Sequence, residues 1–116
     1  MLKFRNVRYI LGVLSFMVAG ASVPALASEQ ASGVVSQLFL ARANNFAFRV
    51  YLRNGGSDAL SSCNYSFAFM NTDDDNYQAK VATLLSAQAQ RQTVNVVFDR
   101  DAAGWCRIVE FFINTN

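Results

Sequence analysis

From Phe46 to Arg53, Phe46, Phe48, Val50 and Leu52 alternate with Ala47, Arg49, Tyr51 and Arg53. This strict period of two predicts a strand with one buried face and two arginines on the other. Similar runs lie on both sides. Gly33 to Ala41 has the branched and aromatic content of a first strand. In a third strand Tyr65, Phe67 and Phe69 face one way, and Ser66, Ala68 and Met70 the other. Val94, Val96 and Phe98 alternate with Thr93, Asn95 and Val97 in a fourth. Trp105 to Ile113, containing Cys106, Val109, Phe111 and Phe112, reads as a longer fifth. Arg42 to Asn45 turn the chain, Asn54-Gly55-Gly56-Ser57-Asp58 supplies a tight turn, and Asp99 to Gly104 is a hairpin loop.

One segment breaks this rhythm. Tyr77, Val81, Leu84, Leu85 and the alanines flanking Gln88 recur near the helical spacing of about 3.6, with Gln78, Lys80, Gln90 and Arg91 largely elsewhere. Thr72 is placed to cap this helix. Asp73, Asp74 and Asp75 suit the positive end of its dipole and Arg91 the other. The order is three strands, one helix, two strands. It predicts a mainly β (α+β) domain of the OB-fold kind, a small five-stranded Greek-key barrel with a helix between the third and fourth strands. An open antiparallel sheet packed on one helix fits the same pattern.

The first residues follow another logic. Lys3, Arg5 and Arg8 precede an apolar run from Tyr9 to Val23, and Ala25-Leu26-Ala27 supplies the small residues of a signal-peptidase site behind Pro24. The run is shorter than the roughly 20 residues of a membrane-spanning helix. Residues 1–27 therefore read as a signal peptide cleaved after Ala27, and residues 28–116 as a single secreted or periplasmic domain without stable membrane anchoring. Cleavage reverses the charge picture. The whole chain has ten Lys and Arg against eight Asp and Glu; without its leader it has seven against eight, a net charge of −1. A polyanion-binding surface loses its simplest support, so nucleic acid is not expected as a partner.

An exported chain of this size needs a staple, and Cys63 and Cys106 are its two cysteines. In an oxidising compartment their pairing is the expectation. There is no histidine, no Gly-rich phosphate loop and no C-x-x-C spacing. The usual general base, thiol nucleophile and nucleotide cradle are missing, so the chain is not expected to be an enzyme or to hold a cofactor. An acid/base pair such as Asp99 and Glu110 would have to converge in one cleft. Counted from Asp73 as a calcium loop, the sixth and twelfth places hold Gln78 and Leu84 instead of glycine and glutamate, so no metal site is expected. Asn64-Tyr65-Ser66 has the form of a glycosylation sequon but falls in a strand pattern. Arg42, Arg49 and Arg53, with Tyr51 between them, make either a basic aromatic binding face or a solvated strand face.

Ser32-Gly33-Val34-Val35, followed by Gln37 and Phe39, and the helix leading through Gln90, Gln92 and Val94 into the fourth strand resemble the binding subunits of subtilase cytotoxin and typhoid toxin. Those are small secreted OB-folds that form pentameric rings and bind sialylated glycans. The resemblance implies a non-enzymatic protein, able to form a homo-oligomer, that recognises a cell-surface glycan or a protein partner, with Ser32 at the ligand. This chain departs from them in its shorter loops and in having only two cysteines. Apolar residues on both faces of the last strand, including Phe111, Phe112 and Ile113, exceed what one small core covers and point to a subunit contact. The alternative is a stand-alone structural or inhibitory periplasmic protein with no glycan binding.

Overall fold

The computed structural model describes residues 27–114. The expected leader, apart from Ala27, lies outside the described residues. Six strands and one helix follow in the order β1 (Glu29–Leu40), β2 (Phe48–Asn54), β3 (Ser57–Asp58), β4 (Ala68–Met70), α1 (Tyr77–Ala89), β5 (Thr93–Arg100) and β6 (Cys106–Ile113). The domain is mainly β. β1 pairs with β5 through Glu29–Val34 and with β2 through Val34–Leu40, β2 pairs with β4, β4 with β6, and β6 with β5. Five strands thus form a ring of pairings, and β3 is a two-residue return on β2.

The long first strand makes the ring possible. β1 changes partner at Val34, and its register with β2 shifts between Val35 and Gln37, where Ser36 is the extra residue. A bulge of this kind bends a strand and raises its twist. Gly33 sits at the crossing, where an added Cβ would lie 2.6 Å from the Arg53 carbonyl oxygen. The absent side chain lets the two backbones approach.

The seam opposite is short. β4 and β6 run parallel and share two pairs, Ala68 with Cys106 and Phe69 with Arg107. Cross-links lie at either end of it. The expected disulfide joins Cys63 to Cys106 with their Cα atoms 5.7 Å apart. Arg107 holds the Asp74 carboxylate with two hydrogen bonds, its Nε donating at 3.1 Å and its Nη2 closer still.

Inside the ring lie Phe48, Val50, Leu52, Leu60, Met70, Leu84, Val94, Val96, Phe98 and Ile108, with Tyr77 and Val81 of α1 packed against them. The β2 pattern therefore places its apolar face inward from Phe48 onward. Phe46 departs from it, for its φ of 50° turns the ring out of the core. β6 solves its apolar excess with a second bulge. Glu110 pairs with Val97 and Ile108 with Phe98, so Val109 is the extra residue. The phase flips there, letting Ile108, Phe111 and Ile113 all pack on the core while Val109 and Phe112 stay exposed.

Two local expectations are corrected. α1 starts at Tyr77 behind Asn76, which is left-handed and caps nothing with its side chain, and no acidic residue lies in its first turn. The Thr72 hydroxyl instead donates to Asn44, and Asp74 accepts from the backbone amide of Asn71. Asp73, Asp74 and Asp75 belong to the turn before the helix. The third strand begins only at Ala68, because Asn64–Ser66 forms a 3₁₀ turn with Tyr65 at φ 54° and Ser66 at φ 58°.

Candidate functional site

The structure has a second apolar layer, on the outer face of the ring. In β4 the small Ala68 and flexible Met70 point into the core, while Phe69 and the preceding Phe67 are buried without joining it. What covers them is aromatic. The Phe46 ring lies 4.4 Å from Phe69 and 4.5 Å from Trp105, centroid to centroid. Tyr51 meets Phe67 edge-on at 5.7 Å. Tyr65 stacks on Phe67 at 6.5 Å and on Trp105 at 5.8 Å. Offset and edge-on contacts of this kind contribute about 0.5–1.5 kcal/mol each beyond burial.

Arg49 stands in the middle. Its guanidinium lies 4.8 Å from the Phe39 centroid, 5.2 Å from Phe67 and 6.0 Å from Phe46. Its Nε donates to the Phe46 carbonyl and its Nη2 to that of Asn45. The residue thus pins the β1–β2 loop to the sheet. Together Asn45, Phe46, Arg49, Tyr51, Tyr65, Phe67 and Trp105 line an open cleft of about 340 Å³.

Local backbone chemistry aims the two rings at its rim. The Asp101 carboxylate accepts the amides of Ala103 and Trp105, both at 2.9 Å, which closes the β5–β6 loop and sets the indole. Asn64 ties that loop to the turn before β4, since its Nδ2 donates to the Ala103 carbonyl at 2.7 Å and its backbone N–H donates to the Gly104 carbonyl at 2.9 Å. Tyr65, next in sequence, is left 79% exposed. Phe46 and Tyr65 are both left-handed, a conformation that costs a bulky residue about 1–3 kcal/mol and persists where the surroundings impose it.

The residues singled out in the sequence are scattered by comparison. Of the arginine set, Arg49 and Tyr51 line the cleft, whereas Arg53 turns to Asp58 and the Gly56 carbonyl and Arg42 lies outside the lining. Ser32 lies on β1 opposite Asn95 of β5 and donates its hydroxyl to the Asn95 side chain; it does not line the aromatic cleft. The Asn95 Nδ2 beside it is buried without a partner. Cys63 and Cys106 are cross-linked. Asp99 and Glu110 line different clefts. No grouping of three or more metal-binding side chains occurs among the described residues. The signal for the cleft was present in the alternation of Tyr65, Phe67 and Phe69, but the pattern does not tell which face of a β-strand meets the core.

Comparison with family models, characterised proteins and solved structures finds no match for this chain. The functional reading therefore rests on its own residues.

Proposed function

We propose that the chain is an exported, non-enzymatic binding protein with an OB-fold barrel, and that it binds a glycan on the outer aromatic face. The barrel reading is supported by the ring β1–β2–β4–β6–β5, with α1 between β4 and β5 and a parallel β4–β6 seam. In that fold the face of the second and third barrel strands, with the loops beside it, takes oligosaccharides and oligonucleotides. The cleft draws on β2, the segment before β4, the β1–β2 loop and the β5–β6 loop.

The observation that carries the reading is an aromatic layer held outside the core, with an exposed Tyr65 and an adjacent Trp105. A sugar ring offers one face of C–H groups, which packs on the negative face of an aromatic ring, and a rim of hydroxyls for polar neighbours. Ser32, implied by the resemblance to toxin binding subunits, is half-buried against Asn95, and any role for it lies apart from this cleft. Homo-oligomerisation is supported by Val109 and Phe112, 43% and 47% exposed on β6.

The test is retention of the purified chain, starting at Ser28 with its disulfide formed, on an array of neutral and sialylated glycans. Binding is expected, and light scattering is expected to give a mass above the monomer. A monomer retained by no glycan would reject this function.

A further inference from the structure

Trp105 is the single tryptophan of the chain, and it forms a wall shared by two clefts. On one side lies the aromatic cleft. On the other a second cleft of about 210 Å³ is lined by Phe69, Asp99, Arg100, Asp101, Trp105 and Arg107. Both offer ring faces, and the second adds two carboxylates and two guanidinium groups at its edge, so a ligand crossing Trp105 meets rings first and then rings with charged neighbours.

The two clefts differ in how their cations are held. Arg49 spends its Nε and Nη2 on backbone carbonyls and its face on three rings. Arg100 donates to Glu29 at 2.8 Å and to the Ser62 carbonyl, and Arg107 is paired with Asp74. Asp99 and Asp101 add negative charge to the second cleft. A carboxylate or phosphate entering there would meet two carboxylates and guanidinium groups that are already neutralised. Hydroxyl groups meet fixed donors and acceptors instead, since guanidinium groups held by ion pairs lose little freedom on binding.

We propose that the ligand is an uncharged linear oligosaccharide laid across Trp105, one unit stacked against Tyr65 and Trp105 and the following units hydrogen-bonded by Asp99, Asp101, Arg100 and Arg107. The inference rests on the reading of the aromatic cleft as a glycan site. It keeps acidic sugars and phosphates out of the cleft of Asp99 and Asp101, where both guanidinium groups are already paired with carboxylates.

Because Trp105 is unique, its emission reports this site directly. The disulfide-bonded chain is titrated with cello- and chito-oligosaccharides from disaccharide to hexasaccharide, with sialyllactose, and with a single-stranded oligothymidylate. A change in emission with the neutral series is expected, with affinity tightening about tenfold or more from two units to five, equivalent to one decade in Kd. Asp99→Asn is expected to remove most of that length dependence while leaving disaccharide binding in place. A neutral series bound without length dependence overturns the proposal, as does a response confined to sialyllactose, which leaves the glycan reading standing. A response confined to oligothymidylate, or none to any probe, overturns both.

Discussion

The rings of Tyr65 and Trp105 stack at 5.8 Å with 23° between their planes, although they belong to different elements on either side of the helix. Asn64 makes the connection, through its side-chain bond to the Ala103 carbonyl and its backbone bond to Gly104. Gly104, at φ 92°, has no room for a side chain there, since a Cβ would lie 2.7 Å from the Asn64 Oδ1. Asn64→Ala should cost about 1 kcal/mol, the net worth of one such hydrogen bond. It should also make the Trp105 indole more accessible to iodide, measured as a steeper quenching slope. An unchanged slope would mean that the loop is set without Asn64.

Asp74 gives the fold an acid-sensitive link. Burial works to raise its carboxyl, but the Arg107 hydrogen bonds, the Asn71 amide and the charges of Arg107 and Lys80 together hold it below the ordinary aspartate value of 3.8. The same pair holds the Arg107 guanidinium above its ordinary value. A group whose pKa is depressed in the folded chain adds stability above its unfolded pKa and loses it as pH falls through the folded one. Asp74→Asn should therefore cost about 1–2 kcal/mol at neutral pH, between the worth of a surface pair and that of a buried one. The difference from the unsubstituted chain should shrink to nothing in acid. Denaturant titrations at a series of pH values measure both, and a difference that grows in acid would contradict the assignment.

The β4–β6 seam is the weakest join of the ring, with two residue pairs. The Cys63–Cys106 bond spans a separation of 43 residues, and closing such a loop contributes about 4 kcal/mol in the chain-entropy model. Cys63→Ser with Cys106→Ser should lower the unfolding free energy by about that amount in chemical denaturation. A loss below about 1 kcal/mol would show that the pairs and the Asp74–Arg107 link hold the seam alone.

Two substitutions at constrained backbone positions should move stability in opposite directions. Gly33→Ala forces a Cβ against the Arg53 carbonyl and should destabilise by about 1–3 kcal/mol. Arg91 has φ 52° just beyond α1, with its N–H donating to Gln88 and that of Gln92 to Ala87. This is the closing turn that glycine favours. Arg91→Gly should stabilise by about 0.5–1 kcal/mol. Thermal melts of the two variants shifting the same way would contradict this account of the backbone.

Much of the scaffold was legible because its cause is local. The period of two in β2 and β5, the helical spacing from Tyr77 to Leu84 and the two cysteines each carry their own signal. What escaped depends on long-range geometry. The Val109 bulge is invisible in the sequence, so Phe111 and Ile113 read as surplus when they pack on the core. The start of α1 escapes the sequence because Asp74 is claimed by Arg107, far along the chain and on the other side of the β4–β6 seam. The aromatic cleft was missed for a similar reason: Phe46 and Tyr65 continue an alternating pattern on paper, while their positive φ angles take both rings out of it.

Tyr65 offers the most direct test of the claim that the outer aromatic layer is a binding face. The residue is largely exposed and left-handed, so Tyr65→Gly relieves backbone strain while losing its ring contacts, leaving stability within about 1 kcal/mol of the original. The measurement is the affinity of this variant for the glycan retained by the unsubstituted chain, taken beside its melting temperature. The account predicts at least about a tenfold loss of affinity with little change in melting. Undiminished binding by a variant that melts normally would contradict it.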